Sequence, residues 1–116
     1  MNKFNESIEM YEEAIKIGLK GTKQATYFTN KGFANFKLEN YGLTIMETTE
    51  AIKNDSWYTK AYYRRGCANL VLSHFDDAIK DFKIVLKLSP KDKDAKDKLD
   101  ETKKLKIAKL FAESIA

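Results

Sequence analysis

The chain has 116 residues, which leaves room for one domain and not two. Charged residues make up 33% of it and apolar residues 43%, a globular balance with no apolar run near the ~20 residues that cross a bilayer. The 21 basic residues against 17 acidic ones leave a net charge of +4, too little to favour nucleic acid as a partner. The single cysteine, Cys67, excludes an internal disulfide and favours a reducing compartment, so we expect the cytoplasm and, as a second location, the nucleus.

The apolar spacing predicts helices and no strand, so the predicted fold class is all-α. In the segment 75–88 the apolar residues recur at i, i+3, i+4 and i+7, which is the pattern of an amphipathic helix. Pro90 marks the end of that helix because proline cannot continue it. In chain order the predicted elements are a helix at 4–19, a helix pair at 25–55, a second helix pair at 58–89 and a long helix at 92–114.

The two predicted helix pairs are copies of one another at an offset of 34 residues. Gly32 falls on Gly66 and Tyr41 falls on Phe75, and the register needs no gap. The segment 4–19 matches the second helix of each pair. A helix pair of this length cannot bury its apolar face alone, whereas stacked copies bury a shared core.

The pattern of small and aromatic residues resembles the tetratricopeptide repeat (TPR). The second pair carries this pattern best, at Tyr62, Gly66, Phe75, Ala78, Phe82 and Pro90. The resemblance implies a TPR helix-turn-helix superhelix, an α-solenoid, with the helix at 92–114 as a polar cap. The first pair departs from the pattern at Thr44 and Thr48, where alanine and an aromatic residue are usual. We therefore expect a looser seam between its helices.

The first repeat lacks its first helix, which by register would precede Met1. We expect one of three explanations: a fragment, a gene model that starts late, or a helix supplied by another chain. In each case Phe4, Ile8 and Tyr11 would border an unfilled apolar groove, and such patches invite partners.

Three polar side chains are expected to converge in the groove of the superhelix. TPR arrays present the first helix of each pair on the concave side, and Lys60 and Arg64 are spaced i, i+4 on such a helix. Asn30 occupies the position of Arg64 one repeat earlier. An amide, an ammonium and a guanidinium in one groove are suited to holding carboxylates.

The same residues resemble the carboxylate clamp of TPR co-chaperones, which binds the acidic Glu-Glu-Val-Asp tail of heat-shock proteins of the 90 kDa and 70 kDa classes. Asn30, Lys60 and Arg64 match three of its five positions, and the two positions on the absent first helix have no counterpart. Lys37 matches an auxiliary basic contact. Phe33 and Phe36 are candidates for an apolar pocket that holds the valine of such a peptide.

Among TPR domains the chain resembles those of the Ser/Thr protein phosphatase 5 type, on the segments 60–65 and 90–96. That resemblance implies a targeting and regulatory domain, with any catalytic domain outside these residues. Glu39 matches an acidic residue that contacts the catalytic domain in that family. The alternatives are an autoinhibitory domain that acts mainly on a catalytic domain in the same polypeptide, and a TPR scaffold of another co-chaperone.

The sequence offers no enzyme chemistry of its own, so we expect no cofactor, no metal site and no catalytic residue in this chain. It has no glycine-rich phosphate loop. Cys67 occupies a small-residue position of the repeat and is expected to be packed rather than nucleophilic. His74 falls in a predicted turn, and one histidine with one cysteine cannot build a zinc site.

Overall fold

The computed structural model describes the backbone of residues 3–115 and the side chains of residues 20–115. Within this part of the chain there are five helices and no strand, which confirms the all-α prediction. The helices are α1 (Lys3–Lys37), α2 (Tyr41–Asn54), α3 (Thr59–Val71), α4 (Phe75–Leu88) and α5 (Lys93–Ile115).

Each helix packs against the next one along the chain, and α3 also contacts α1 and α5. The helices therefore form antiparallel pairs, α1 with α2 and α3 with α4, and α5 covers the open side of the second pair. Because α3 lies next to both α1 and α5, and residues of all three line one cleft, these helices share one side of the stack. The side chains that they direct to that side form the surface on which the functional residues lie.

The helix α1 corrects one sequence-based boundary. The sequence predicts one helix over 4–19 and a second helix that starts near residue 25. The structure has a single unbroken helix there, α1 (Lys3–Lys37). No proline interrupts this stretch, and glycine alone costs a helix only about 1 kcal/mol. Phe4, Ile8 and Tyr11, with the groove predicted beside them, lie outside the described side chains.

Gly21 serves packing rather than a turn. A Cβ atom at this position would lie 2.6 Å from the carbonyl oxygen of Asn54, at the end of α2. The absence of a side chain therefore lets α1 approach the last turn of α2 closely.

The seam between α1 and α2 is closely packed, and the expectation of a looser seam at Thr44 and Thr48 is wrong. Both threonines are fully buried. The Thr44 hydroxyl lies 3.0 Å from the Gly32 carbonyl oxygen on α1, and the Thr48 hydroxyl donates to the Thr44 carbonyl oxygen at 2.7 Å. A Cβ at Gly32 would lie only 3.1 Å from the Thr48 methyl group. Both hydroxyls have hydrogen-bond partners although they are buried. Because the threonine side chains are also small, α1 and α2 can pack closely at this point.

The equivalent seam between α3 and α4 is filled by an aromatic ring. A Cβ atom at Gly66 would lie 2.8 Å from the ring of Phe82, which is fully buried. The Tyr63 ring packs edge-on against Phe82 at 5.9 Å between centroids. In this pair a glycine opposite a large ring lets the two helices pack closely. In the first pair a glycine opposite two threonines has the same effect.

A buried ion pair joins three helices. The guanidinium of Arg65 on α3 donates to both carboxylate oxygens of Asp81 on α4, at 2.9 and 2.8 Å, and to the hydroxyl of Thr49 on α2 at 3.2 Å. Asp81 is only 2% exposed. Burial alone would lower the pKa of Arg65, but its hydrogen bonds to Asp81 and the charge of that carboxylate raise it overall. The pair is therefore charged and geometrically fixed.

The last helix has two unlike halves. Ala95, Leu99 and Thr102 in its first half are buried, and the Asp92 carboxylate accepts a hydrogen bond from the Ala95 N–H at 3.0 Å, which caps its start. In the second half the apolar residues are exposed, Phe111 at 65%. Within the described chain, none of the helices combines the length and the apolar character needed to span a membrane.

We predict that Asp81→Ala lowers the free energy of unfolding by about 3 kcal/mol, the lower end of the range for breaking a buried ion pair, because the Arg65 side chain that loses its carboxylate partner is 21% exposed. Urea unfolding followed by circular dichroism measures this change. The control is Glu47→Ala, which removes a more exposed ion pair with Lys31 (3.5 Å) and should cost no more than about 1 kcal/mol. Equal losses in the two variants would show that the Arg65 bridge does not hold the helices together.

Candidate functional site

A cleft of about 390 Å³ opens between α1, α3 and the start of α5. Helical spacing explains its composition, since Asn30 and Phe33 are i, i+3 on α1 while Lys60 and Arg64 are i, i+4 on α3. The residues that line it are Thr29, Asn30, Phe33, Thr59, Lys60, Tyr63, Arg64, Asp92 and Asp94.

The cleft brings together the three residues that the sequence analysis selected. Asn30 and Lys60 are exposed and Arg64 is partly buried. Among the described residues, no hydrogen bond or ion pair engages the side chains of these three. Their donors therefore remain available to a ligand, which is the condition that carboxylate binding requires.

Two cations share the ring of Phe33. The guanidinium carbon of Arg64 lies 3.8 Å from the ring centroid, and the Nζ atom of Lys37 lies 4.6 Å from it. Both distances fall within the range of cation–π attraction. Lys37 itself does not line the cleft. It lies beside the cleft and contacts it only through the ring of Phe33.

A second, smaller cleft of about 230 Å³ adjoins the first, since both are lined by Tyr63 and Arg64. Phe36 lies here and not in the first cleft, and its ring packs edge-on against Tyr41 at 5.3 Å. The two phenylalanines proposed for one apolar pocket therefore line neighbouring clefts. Lys98 on α5 adds a further cation at this second cleft.

Asp92 and Asp94 line the first cleft, and the sequence analysis did not identify them as site residues. They are there because α5 lies on the same side of the stack as α1 and α3. The Asp92 carboxylate caps α5, whereas Asp94 is exposed. The two carboxylates balance the formal charges of Lys60 and Arg64, so the cleft as a whole is neutral. An anion is therefore attracted only to the wall formed by α3, where these two cations lie.

Tyr63 stands between the two clefts as a neutral hydrogen-bonding group. Burial raises its pKa to about 12, with further contributions from Cys67 and the Asp94 carboxylate. Its hydroxyl therefore stays protonated at physiological pH and can donate to an acceptor. Thr29 contributes a second hydroxyl to the first cleft, with its residue only 3% exposed and its Oγ1 atom without a protein partner.

Glu39 lies apart from both clefts, in the turn between α1 and α2. Its backbone is left-handed, with φ of 61°, and Ser73 in the equivalent turn of the next pair has the same value. Its side chain is exposed. The proposed contact of Glu39 with a catalytic domain stays a prediction.

Cys67 and His74 lie in environments that do not favour catalysis. Burial raises the pKa of the Cys67 thiol, which suppresses the reactive thiolate. The His74 ring is exposed, with Nδ1 3.3 Å from Oδ1 of Asn69. In the described part of the chain, no three His, Cys, Asp or Glu side chains cluster closely enough to hold a metal ion.

We predict that iodoacetamide alkylates Cys67 several-fold more slowly in the native chain than in the urea-unfolded chain at pH 8. Burial raises the pKa of the folded thiol above its usual 9.0, so the thiolate fraction is lower in the folded state, and the difference in rate narrows as the pH rises through the folded pKa. Mass spectrometry of timed samples measures both rates. Equal rates at pH 8 would contradict the inert, packed thiol.

Comparison with known proteins places the chain among helical-repeat domains. No protein-family model matches it. It is 40% identical to Ser/Thr-protein phosphatase T of Aspergillus oryzae over 99 residues, which is 85% of this chain and 20% of that protein. It is 36% identical to Ser/Thr-protein phosphatase 5 of Homo sapiens over 113 residues, 97% of this chain and 22% of that protein. The chain thus spans about a fifth of the length of these curated relatives.

Two solved structures are similar over most of both chains. The first TPR of Spaghetti (RPAP3) bound to the HSP90 peptide SRMEEVD has a TM-score of 0.70 and 30% identity, covering 85% of this chain and 82% of that chain. The second TPR domain of human RPAP3, in complex with the HSP70 peptide SGPTIEEVD, has a TM-score of 0.67 and 33% identity, covering 84% of each. Both peptides end in Glu-Glu-Val-Asp.

Proposed function

The chain belongs to the tetratricopeptide repeat family, and from that premise we propose that it is a protein-binding domain for the acidic C-terminal tail of a heat-shock chaperone of the 90 kDa or 70 kDa class. The observation that carries this proposal is the convergence of Asn30, Lys60 and Arg64 in one cleft, with their donors unpaired. The chaperone peptides bound by the two similar RPAP3 domains support the choice of ligand.

Each of the three side chains binds the part of the peptide that suits its hydrogen-bonding groups. Asn30 and Lys60 take the terminal carboxylate, because an amide N–H and an ammonium together satisfy several of its lone pairs. Arg64 takes a side-chain carboxylate or a backbone carbonyl further along the peptide, where its planar fork can make two parallel bonds. Charge-assisted bonds of this kind require a ligand whose anionic groups are closely spaced, as in Glu-Glu-Val-Asp.

The acids of the cleft favour one orientation of the ligand. Asp92 and Asp94 lie at the start of α5 and repel any carboxylate placed near that wall. A peptide with a free C-terminus therefore gains most when its anionic end lies against α1 and α3. Electrostatic complementarity of this type determines register and partner choice more than total affinity.

We further propose that the chain is the targeting and regulatory part of a phosphatase 5-like protein. The similarity to phosphatases T and 5 over 85% and 97% of this chain supports this parentage. An autoinhibitory role toward a catalytic domain in the same polypeptide is the second candidate. The exposed carboxylate of Glu39, on the turn between α1 and α2, favours it because such a group can dock on a partner surface.

We predict that isothermal titration detects micromolar binding of the peptide Met-Glu-Glu-Val-Asp and that C-terminal amidation of the peptide abolishes it. Arg64→Ala should weaken binding by about 1.5–3 kcal/mol, the range for hydrogen bonds to charged groups. Lys60→Ala should weaken it to a similar degree.

Lys80→Ala is the matched control, because this exposed lysine lies on α4, away from the cleft. It changes the net charge as Lys60→Ala does and should leave the affinity unchanged. Binding that survives amidation, or that falls equally in the Lys80 variant, would exclude the clamp. No binding of either peptide would favour the regulatory alternative.

A further inference from the structure

The ring of Phe33 is the one aromatic surface of the cleft that a cation from another helix covers. The Arg64 guanidinium comes from α3 and lies 3.8 Å from the centroid of this ring on α1, closer than its 6.0 Å distance from its own neighbour Tyr63. No ion pair or hydrogen bond among the described residues fixes Arg64 in any other way. The Phe33 ring is therefore the nearest group that can restrain the Arg64 side chain.

We propose that Phe33 is a positioning residue, which holds the Arg64 guanidinium on its ring so that the fork faces into the cleft before a ligand arrives. This proposal rests on the proposed function, since it assigns Arg64 to an anionic ligand. It replaces the sequence-based role of Phe33 as a wall of an apolar pocket. In the proposed arrangement Phe33 contributes to affinity through Arg64 and not through its own contact with the peptide.

The physical reason lies in the freedom of a long side chain. An unrestrained arginine samples many rotamers, and a ligand must freeze them when it binds. A guanidinium stacked on an aromatic ring is already restricted, while the N–H donors at its edge stay free because the stack uses only its face. Preorganisation of this kind strengthens binding without adding any contact to the ligand.

Lys37 makes the arrangement responsive to charge. Its ammonium lies 4.6 Å from the same ring, so two like charges approach one aromatic group. Their mutual repulsion is relieved when an anion arrives beside Arg64. The ring thus gathers two positive charges next to the cleft, and both attract an anionic ligand although Lys37 does not line the cleft.

A double-mutant cycle separates the positioning role from direct contact. Four chains are compared by titration with Met-Glu-Glu-Val-Asp: wild type, Phe33→Leu, Arg64→Ala and the double variant. Leucine keeps the apolar bulk but removes the π face. We expect Phe33→Leu to weaken binding about fivefold in the wild-type background and not at all in the Arg64→Ala background. Phe33→Tyr, which keeps the ring, should bind like wild type.

A second readout needs no ligand. In the free chain the Arg64 side-chain proton resonances should be shifted upfield by the ring current of Phe33. The shift should persist in Phe33→Tyr and disappear in Phe33→Leu. Thermal unfolding of each variant shows whether the fold is retained.

The two readouts distinguish the possible failures. An equal loss from Phe33→Leu in both Arg64 backgrounds would mean that the ring contacts the peptide directly, and would overturn the proposal. Absence of the upfield shift in the wild-type chain would also overturn it, whatever the affinity. If the shift is present but the wild-type chain binds no peptide, the positioning role is supported and only the choice of ligand is wrong.

Discussion

The close approach of the helices at Gly32 and Gly66 is the constraint on which the rest of the structure depends. At each glycine the opposite helix comes so near that a Cβ would crowd its side chain, a threonine methyl in the first pair and an aromatic ring in the second. Because these contacts recur at the period of the repeat, they set the same geometry twice. The two pairs therefore stack in register, and their first helices face the same side.

That geometry creates the cleft without any loop. Asn30 and Phe33 reach the cleft from α1, and Lys60 and Arg64 reach it from α3. Other faces of these two helices pack against α2 and α4. Helices hold the backbone positions of binding residues more rigidly than loops do, so these four residues enter the cleft from fixed positions. The bridge between Arg65 and Asp81 adds to this rigidity, since it joins α3 to α4 and, through Thr49, to α2.

Much of this could be read from the sequence because it follows from periodicity. The helices, the repeat and the shared face of Asn30, Lys60 and Arg64 all depend on spacing along the chain. The continuity of α1 could not be read, because glycine lowers helix stability only slightly and its use at Gly21 depends on the carbonyl of Asn54, which is remote in sequence.

The same limit explains what was missed in the site. The carboxylate of Asp94 enters the cleft only because α5 packs beside α3, and the stacking of Arg64 on Phe33 joins two helices in a way that no single helical pattern contains. Periodicity shows which residues share a face, but it does not show which of them touch across a groove. Contacts between repeats must therefore supply the selectivity that distinguishes one such domain from another, since the repeat itself specifies only the scaffold.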